Sequence, residues 1–265
     1  SSAASDVYQR QLKNLVKKKI KVDGVISFGD VSYVATKLSK YFKTNSIPLK
    51  SAKITSDKFL FKNEMKNYLN IPFFKKIYNL KQLEAIIFKK KYNFILKPVD
   101  NSGARGIIIV NKNSNLSWAY NYCKNYSKKK FLILEEYING PQLSTEGVVY
   151  KGKYVHLCNF DRNYEMIKKY QPFIIENGGS TPSKIGEKLQ KQIIKILSKV
   201  TKKLKLYNAS IKGDLIIKKN KIFIIEIATR LSGGWLSSIT IPNSTGVDII
   251  EYIIKNSLKL EIKKK

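Results

Sequence analysis

Cysteine, histidine and arginine are all scarce in this chain of 265 residues, and each shortage excludes a class of protein. The two cysteines, Cys123 and Cys158, are too few for a disulfide framework or a structural zinc site, which favours a reducing, cytoplasmic setting. The single histidine, His156, excludes His-rich metal centres. No segment approaches the roughly 18–20 apolar residues of a membrane-spanning helix, and the first residues, SSAASDVYQR, lack the apolar core of a secretory signal. We therefore expect neither a membrane partner nor secretion.

Positive charge is abundant, yet arginine supplies little of it. Lysine and arginine number 50 against 19 acidic residues, and the formal net charge is +31. Only four of the basic residues are arginines: Arg10, Arg105, Arg162 and Arg230. Proteins that read nucleic-acid bases or clamp phosphates usually rely on arginine, so the composition favours a solvated lysine surface over a nucleic-acid partner. A basic nucleic-acid-binding protein remains an alternative.

Strand-like and helix-like segments alternate along the chain, which is typical of an α/β architecture. Near the N-terminus, an apolar strand over 22–28 precedes a helix over 31–43. The polar segment 161–183 is predicted to be a long loop of the kind that is usually functional or mobile. Further helices are predicted over 7–20, 57–69, 80–90, 114–126, 184–205 and 246–257, and further strands over 73–78, 94–97, 106–110, 131–137, 143–150, 153–160, 207–218 and 221–228.

A loop of small residues joins two predicted strands in the segment FILKPVDNSGARGIIIV. Consecutive backbone N–H groups in such a loop can bind an anion, and Lys97 and Arg105 add positive charge. The segment is neither a P-loop nor a Rossmann fingerprint, because it lacks the Lys-Ser or Lys-Thr ending and leads into a strand rather than a helix. An ordinary hairpin turn would use the same residues and is an equally good interpretation.

Two acidic residues in GDLIIKKNKIFIIEIATRLSGG form the strongest candidate site. If strands 207–218 and 221–228 form a hairpin with an odd-length loop centred on Asn220, Asp214 and Glu226 oppose each other with Cβ atoms about 5 Å apart. Two carboxylates so close repel each other unless a cation lies between them, and hard oxygen ligands suit Mg²⁺. A loop of even length would instead place them on opposite faces, where basic neighbours would merely neutralise them.

A third segment, LEEYINGPQLS, ends an apolar strand with acidic residues, and alone it is an ordinary strand end. Taken in order with TSDKFLFKNEMKNYLNIPFF, FILKPVDNSGARGI and GDLIIKKNKIFIIEIATRLSGG, it resembles the ATP-grasp superfamily. The likeness covers roughly residues 20–258, and the sequence is most similar to carbamoyl-phosphate-synthase-like and L-amino-acid-ligase-like members. The resemblance implies an α/β (α+β) ATP-grasp fold in which two lobes hold ATP. It further implies that 1–50 is the tail of an incomplete Rossmann-like portion, 51–130 a small lobe with a linker helix, and 131–265 a large lobe with the metal site.

The resemblance also assigns roles to residues at matching positions. Lys58 and Lys97 would contact phosphates, with Lys97 and Arg230 as catalytic groups and Arg230 stabilising an acyl phosphate. Asp214 and Glu226 would bridge Mg²⁺, with Mn²⁺ as an alternative. The loop that closes over the triphosphate would comprise Ser102, Gly103, Arg105 and Gly106, and the adenine-binding hinge Glu135, Glu136, Tyr137 and Ile138. Two positions depart from the family pattern. Gln142 stands near the place where many members carry a Glu for the ribose hydroxyls, and Ala228 stands where many members have an Asn.

The implied activity is an ATP-dependent ligase that joins a small-molecule carboxylate to an amine through an acyl phosphate. Lys212, Glu146 and the segment 161–183 are candidates for contacts with the substrates, against a solvated lysine, an exposed strand position and an ordinary mobile loop. A non-catalytic ATP-binding module, or one half of a split ligase, is the main alternative. A homodimer and a complementing N-terminal chain are the candidate protein partners.

Overall fold

The computed structural model describes residues 20–101 and 103–262. The predicted helix over 7–20, apart from its last residue, and the predicted loop residue Ser102 lie outside the described residues. The α-helices span Ser32–Tyr41, Leu49–Thr55, Lys58–Met65, Leu80–Ile87, Leu116–Asn125, Ile167–Tyr170, Glu187–Lys203, Ile241–Thr245 and Ile249–Ser257, and a π-helix spans Leu236–Thr240. None of these described helices combines the length and apolar character required to cross a bilayer.

Two antiparallel sheets organise the described chain, as expected for the predicted mixed class. The four-stranded sheet has the order β1-β4-β2-β3 and comprises β1 (Phe74–Ile77), β2 (Phe94–Pro98), β3 (Ile108–Val110) and β4 (Leu132–Glu136). The five-stranded sheet has the order β7-β6-β5-β8-β9 and comprises β5 (Gln142–Tyr150), β6 (Lys153–Arg162), β7 (Gly179–Ser180), β8 (Ala209–Lys218) and β9 (Lys221–Ala228). Neighbouring strands pair antiparallel in both sheets.

The smaller sheet packs against helices on one face and carries Lys97 and Glu135 on the other. The helices Leu80–Ile87 and Leu116–Asn125, each capped by an asparagine side chain, pack on the sheet in a core of buried apolar residues. Leu132 and Leu134 of β4 belong to this core. Since side chains alternate along a strand, Glu135 points to the opposite face.

The larger sheet has a corresponding division between an apolar and a polar face. The long amphipathic helix Glu187–Lys203 buries Ile193, Leu197 and Val200 against strand residues such as Leu215. Polar residues at the alternate positions of β5 and β8 therefore face away from this helix. That second face carries the candidate site.

The predicted strand over 22–28 is wrong, because residues 21–27 have no regular secondary structure. A strand needs a neighbour to bond its backbone groups, and no described strand pairs with this segment. Ile26 instead packs on a core that includes Ile249 and Ile253 of the C-terminal helix. The helix that follows is confirmed as Ser32–Tyr41.

The remaining predicted helices and strands within the described residues are confirmed, with ends that differ by up to about four residues. The segment 161–183 is not a plain loop, since it contains the short helix Ile167–Tyr170 and strand β7. Three short elements were not predicted: Leu49–Thr55, the π-helix and Ile241–Thr245. Each is too short to show a clear apolar period.

Candidate nucleotide and metal site

The hairpin of β8 and β9 pairs the two predicted carboxylates, but its turn is not the one expected from the sequence. Lys219 and Asn220 both have positive φ, 49° and 59°, and form a two-residue turn that closes Lys218 against Lys221. The predicted odd-length loop is therefore wrong. An even turn alone would put the carboxylates on opposite faces.

A β-bulge corrects this register one residue before the site. Leu215 pairs with Ile224, whereas Asp214 pairs with Glu226, so Ile225 is the extra residue on β9. The bulge brings Asp214 and Glu226 to directly opposed positions on one face, and the predicted pairing is confirmed.

Asp214 lies among cationic and hydroxyl groups. Ser144 Oγ donates a hydrogen bond of 2.8 Å to Oδ1, and Lys212 Nζ lies 3.1 Å from Oδ2. Arg162 Nη1 is 3.5 Å from Oδ1. Burial alone would raise the pKa of Asp214, but the charges of Lys212 and Arg162 and the Ser144 hydrogen bond lower it to about 2. The carboxylate is therefore ionised at neutral pH.

Glu226 faces a lysine that the start of a helix holds in place. Asp57 caps the helix Lys58–Met65 by accepting hydrogen bonds of 2.9 Å from two backbone N–H groups. Lys58 Nζ lies 3.6 Å from Glu226 Oε2 and donates a hydrogen bond of 2.8 Å to Asn101 O. Lys58 thus connects the carboxylate pair with the predicted phosphate loop.

Lys97 and Glu135 form a buried ion pair together with a lysine that was not predicted. Lys97 Nζ is 2.8 Å from Glu135 Oε1, and Lys62 Nζ is 3.2 Å from Glu135 Oε2. Burial lowers the pKa of Lys62 to about 8, although the charge of Glu135 opposes the change. Burial would raise the pKa of Glu135, but the two lysine charges outweigh it and hold this pKa below its usual value. Both carboxylate oxygens of Glu135 are therefore engaged in ion pairs with lysines.

The other predicted hinge residues lie where β4 leaves the small sheet. Glu136 N–H donates to Phe73 O and Tyr137 N–H to Asn93 O, each at 2.9 Å. Ile138 follows and is buried. The hinge backbone is thus anchored to two neighbouring segments.

The predicted phosphate loop is anchored at its base and exposed at its tip. Asp100 accepts hydrogen bonds from Ser127 Oγ and Lys128 N–H, at 2.8 and 3.0 Å. Gly103 and Arg105 are exposed. Gly106 has φ of 72°, in the region that favours glycine, and closes the loop. The described tip is therefore exposed to solvent, while hydrogen bonds to Asp100 hold the base of the loop.

Arg230 is buried beside the carboxylate pair and bonds to an acidic residue from the N-terminal segment. Its Nε donates a hydrogen bond of 2.6 Å to Asp30 Oδ1, a second guanidinium nitrogen contacts the same carboxylate, and Nη1 donates to Leu231 O at 2.9 Å. Gln142 lies at the end of β5, opposite Ile216 of β8.

A cavity of about 170 Å³ is lined by several of the side chains described above. It brings together three of the predicted residues, Lys58, Glu226 and Arg230, with Asp30 and Ala228. The other lining residues are Ser32, Thr55, Ser56, Asp57, Phe61, Val99, Asp100, Asn101 and Ile227.

Residues 55–234, more than half of the chain, match the ATP-grasp domain family. The chain belongs to the ATP-grasp family. Its helices and its two antiparallel sheets agree with that assignment.

Relatives of this ATP-grasp chain include ligases and a carboxylase. The D-alanine–D-alanine ligase of Petrotoga mobilis (strain DSM 10674 / SJ95) is 24% identical over 215 residues, covering 76% of this chain and 67% of that enzyme. The L-amino acid ligase from Bacillus licheniformis superposes with a TM-score of 0.76 at 20% identity, over 93% of this chain and 58% of that one. The biotin carboxylase domain of Hydrogenobacter thermophilus 2-oxoglutarate carboxylase, solved with MgADP, gives a TM-score of 0.76 at 19% identity, over 97% of this chain and 57% of that one. This chain therefore spans less than two thirds of both solved structures.

Three site residues of this ATP-grasp protein were missed from the sequence: Asp30, Lys62 and Ser144. Arg162 lies in the candidate segment 161–183, but its contact with Asp214 was not predicted. Of the three, only Lys62 had an accessible signal, since it lies four residues after Lys58 and therefore on the same face of a helix. The others meet the site through contacts between distant segments, which local patterns do not reveal.

The two opposed carboxylates of this ATP-grasp protein form a donor set of the kind that suits a divalent cation. Asp214 and Glu226 supply hard oxygen donors on one face, and Asp214 is ionised. Among the described residues no group of three or more His, Cys, Asp and Glu side chains could hold a metal by itself.

Proposed function

We propose that this protein is an ATP-dependent ligase that joins a small-molecule carboxylate to an amine through an acyl phosphate. The observation that carries the proposal is the opposition of Asp214 and Glu226, with Lys58 3.6 Å from Glu226. Membership of the ATP-grasp family supports ATP as the nucleotide, and the D-alanine–D-alanine ligase and L-amino acid ligase among its relatives support the ligase class.

In the first step a substrate carboxylate oxygen bonds to the γ-phosphorus of ATP, and the bond to the β–γ bridging oxygen breaks to release ADP. Charge repulsion between the two anions opposes this attack. Lys58 and Lys97 reduce it by binding phosphate oxygens. Magnesium held by Asp214 and Glu226, with Mn²⁺ as an alternative, would supply further positive charge at the triphosphate.

In the second step the amine nitrogen bonds to the acyl carbon and loses a proton to solvent, while the bond from that carbon to the phosphate oxygen breaks and inorganic phosphate leaves. Arg230 donates to the oxygen that gains charge, and its contacts with the Asp30 carboxylate support this role, because they present the guanidinium fork to a carboxylate. The exposed loop 103–105, together with Gly106, closes over the phosphates and excludes water that would hydrolyse the intermediate.

Adenine lies at the hinge formed by Glu136, Tyr137 and Ile138, and Gln142 hydrogen-bonds the ribose through its amide. The Glu135 side chain does not contact adenine but holds Lys97 in place. The ion pair of 2.8 Å between Lys97 Nζ and Glu135 Oε1 supports this role. Because β4 pairs within the smaller sheet, we draw the boundary between the two lobes after Glu136 rather than at 130.

The test is phosphate release from ATP in the presence of Mg²⁺ and panels of carboxylates and amines. Asp214→Asn and Glu226→Gln are each expected to lower the substrate-dependent rate by about 100-fold or more, because each removes charge that stabilises the transition state. Glu187→Gln is the matched control, since this side chain is 78% exposed on the outer helix and should leave the rate unchanged. Substrate-dependent release that survives both site variants would refute the proposal.

One half of a split enzyme is the second candidate. The chain covers 58% of the L-amino acid ligase that it resembles, which favours a requirement for further sequence. This candidate predicts ATP binding without turnover until a complementing chain, or a second copy, is added. Turnover by the isolated chain would exclude it.

A further inference from the structure

The bulge at Ile225 has a specific partner in the small-lobe helix. Lys62 Nζ donates a hydrogen bond of 3.0 Å to Ile225 O, the carbonyl of the extra residue on β9. The extra residue of a bulge is left out of the strand ladder, so its carbonyl needs another donor when it is buried. Lys62 supplies that donor from 163 residues away in the chain.

Burying the charge of Lys62 costs free energy, so its contacts show which groups compensate for that cost. The Lys62 side chain is 0% exposed, and a buried ammonium group must find charged or polar partners to remain in the fold. It finds two: Ile225 O, and Glu135 Oε2 at 3.2 Å. Lys97 already neutralises Glu135 at 2.8 Å, so the Ile225 carbonyl is the partner that only Lys62 serves among the described contacts.

We propose that Lys62 is a positioning residue that holds the bulge at Ile225 and thereby keeps Glu226 opposite Asp214. Without the bulge, the two-residue turn would set Ile225 opposite Asp214 and Glu226 opposite Gly213. The Glu226 side chain would then point towards the helix that covers the apolar face. The consequence for metal and nucleotide rests on the proposed function, whereas the register itself does not.

Disulfide trapping tests the register without any ligand. The chain carrying Asp214→Cys and Glu226→Cys should cross-link under a mild oxidant, because directly opposed residues bring their sulfur atoms within bonding range. Adding Lys62→Met should lower the rate of cross-linking by about tenfold or more, since the bulge loses a hydrogen bond to a charged group. Peptide mass mapping separates this bond from any formed by Cys123 and Cys158. Equal cross-linking with and without Lys62 would overturn the proposal.

A matched pair lies on the other side of the bulge. Ile216 and Phe223 are directly opposed and are held in register by the turn, so Ile216→Cys with Phe223→Cys should cross-link equally well with Lys62 or Lys62→Met. A loss at both pairs would show general unfolding of the hairpin and would overturn the specific role. Where Lys62→Met does not fold, Lys62→Gln, which is too short to reach the carbonyl, serves in the same comparison.

Deletion of Ile225 should restore cross-linking between positions 214 and 226 in the Lys62→Met chain. It removes the extra residue while leaving Glu226 opposite Asp214 and Ile227 opposite Gly213, so the need for Lys62 disappears. Cross-linking at 214 and 226 should then be the same with Lys62 or Lys62→Met, and a persistent difference would overturn the proposal. Calorimetric binding of ADP with and without Mg²⁺ reports separately on the proposed function. A chain that binds no nucleotide but follows the cross-linking pattern would refute that function and leave the role of Lys62 intact.

Discussion

Glu146 is a buried carboxyl whose ionisation should weaken the fold, and Glu146→Gln should remove that effect. The residue lies on β5, is 1% exposed, and accepts a hydrogen bond of 3.1 Å from Ser232 N–H at Oε1. Its Oε2 is buried and has no hydrogen-bond partner among the described residues. Burial raises the pKa of Glu146 to about 7, although the Ser232 hydrogen bonds and the charge of Lys212 oppose the change.

Proton linkage determines how much the ionisation of Glu146 changes the free energy of unfolding, and in which direction. The folded state holds this proton more tightly than the unfolded state, whose pKa is near 4.5, so stability falls as pH rises from about 4.5 through 7. A pKa raised from 4.5 to about 7 corresponds to about 3 kcal/mol of lost stability once the group is fully ionised. Solvent does not screen this effect on stability, because the Glu146 side chain is buried.

The assay is urea unfolding of the parent chain and Glu146→Gln at pH 5 and pH 8. The gain in unfolding free energy from the substitution should be about 2–3 kcal/mol larger at pH 8 than at pH 5. Glu187→Gln is the control for exchanging a carboxylate for an amide, at a side chain that is 78% exposed. A Glu146→Gln effect of equal size at both pH values would refute the reasoning.

Three further substitutions probe other parts of the molecule. Gly106→Ala should lower thermal stability by about 1–3 kcal/mol, since the new Cβ would lie 2.6 Å from Tyr126 Cβ at a φ of 72°, and an unchanged melting temperature would contradict this. Leu197→Ala should cost about 2–5 kcal/mol in urea unfolding, because the side chain is 1% exposed beneath the large sheet; a loss below about 1 kcal/mol would mean that the site collapses. Arg230→Lys should reduce substrate-dependent phosphate release by about tenfold or more while calorimetry shows retained ATP binding, since it keeps the charge but loses the planar fork; unchanged turnover would exclude the proposed role.

Regular elements with a strong apolar period could be predicted well from the sequence. The helix Glu187–Lys203 and the strands of the larger sheet have alternating or helical patterns that follow directly from one buried face. The segment 21–27 shows the opposite case. Its apolar run satisfies a strand pattern, but the described fold offers it no neighbouring strand, so it packs as irregular chain.

The pairing of Asp214 and Glu226 was predicted correctly from an incorrect turn. The positive φ angles at Lys219 and Asn220 mark a two-residue turn, and only the bulge at Ile225 restores the pairing. A bulge of this kind has no local signal, because nothing in the residues around Ile225 distinguishes it from a regular strand position. Its buried partner comes from a distant helix, and such a contact exists only once both lobes are folded.

Two arginines bind carboxylates beside the candidate site, although the sequence alone did not single out Arg162. Lysine serves as the general cation of this chain, and two of its four arginines, Arg162 and Arg230, are bound to carboxylates beside the candidate site. Arg162 Nε donates to Glu176 at 3.1 Å while Nη1 lies 3.5 Å from Asp214, and Arg230 bonds to Asp30. A planar fork can bind two acceptors at fixed geometry, which a flexible ammonium group cannot do. In a sequence that uses lysine wherever solvation suffices, an arginine is therefore best explained by a requirement for that geometry, and both of these residues meet it.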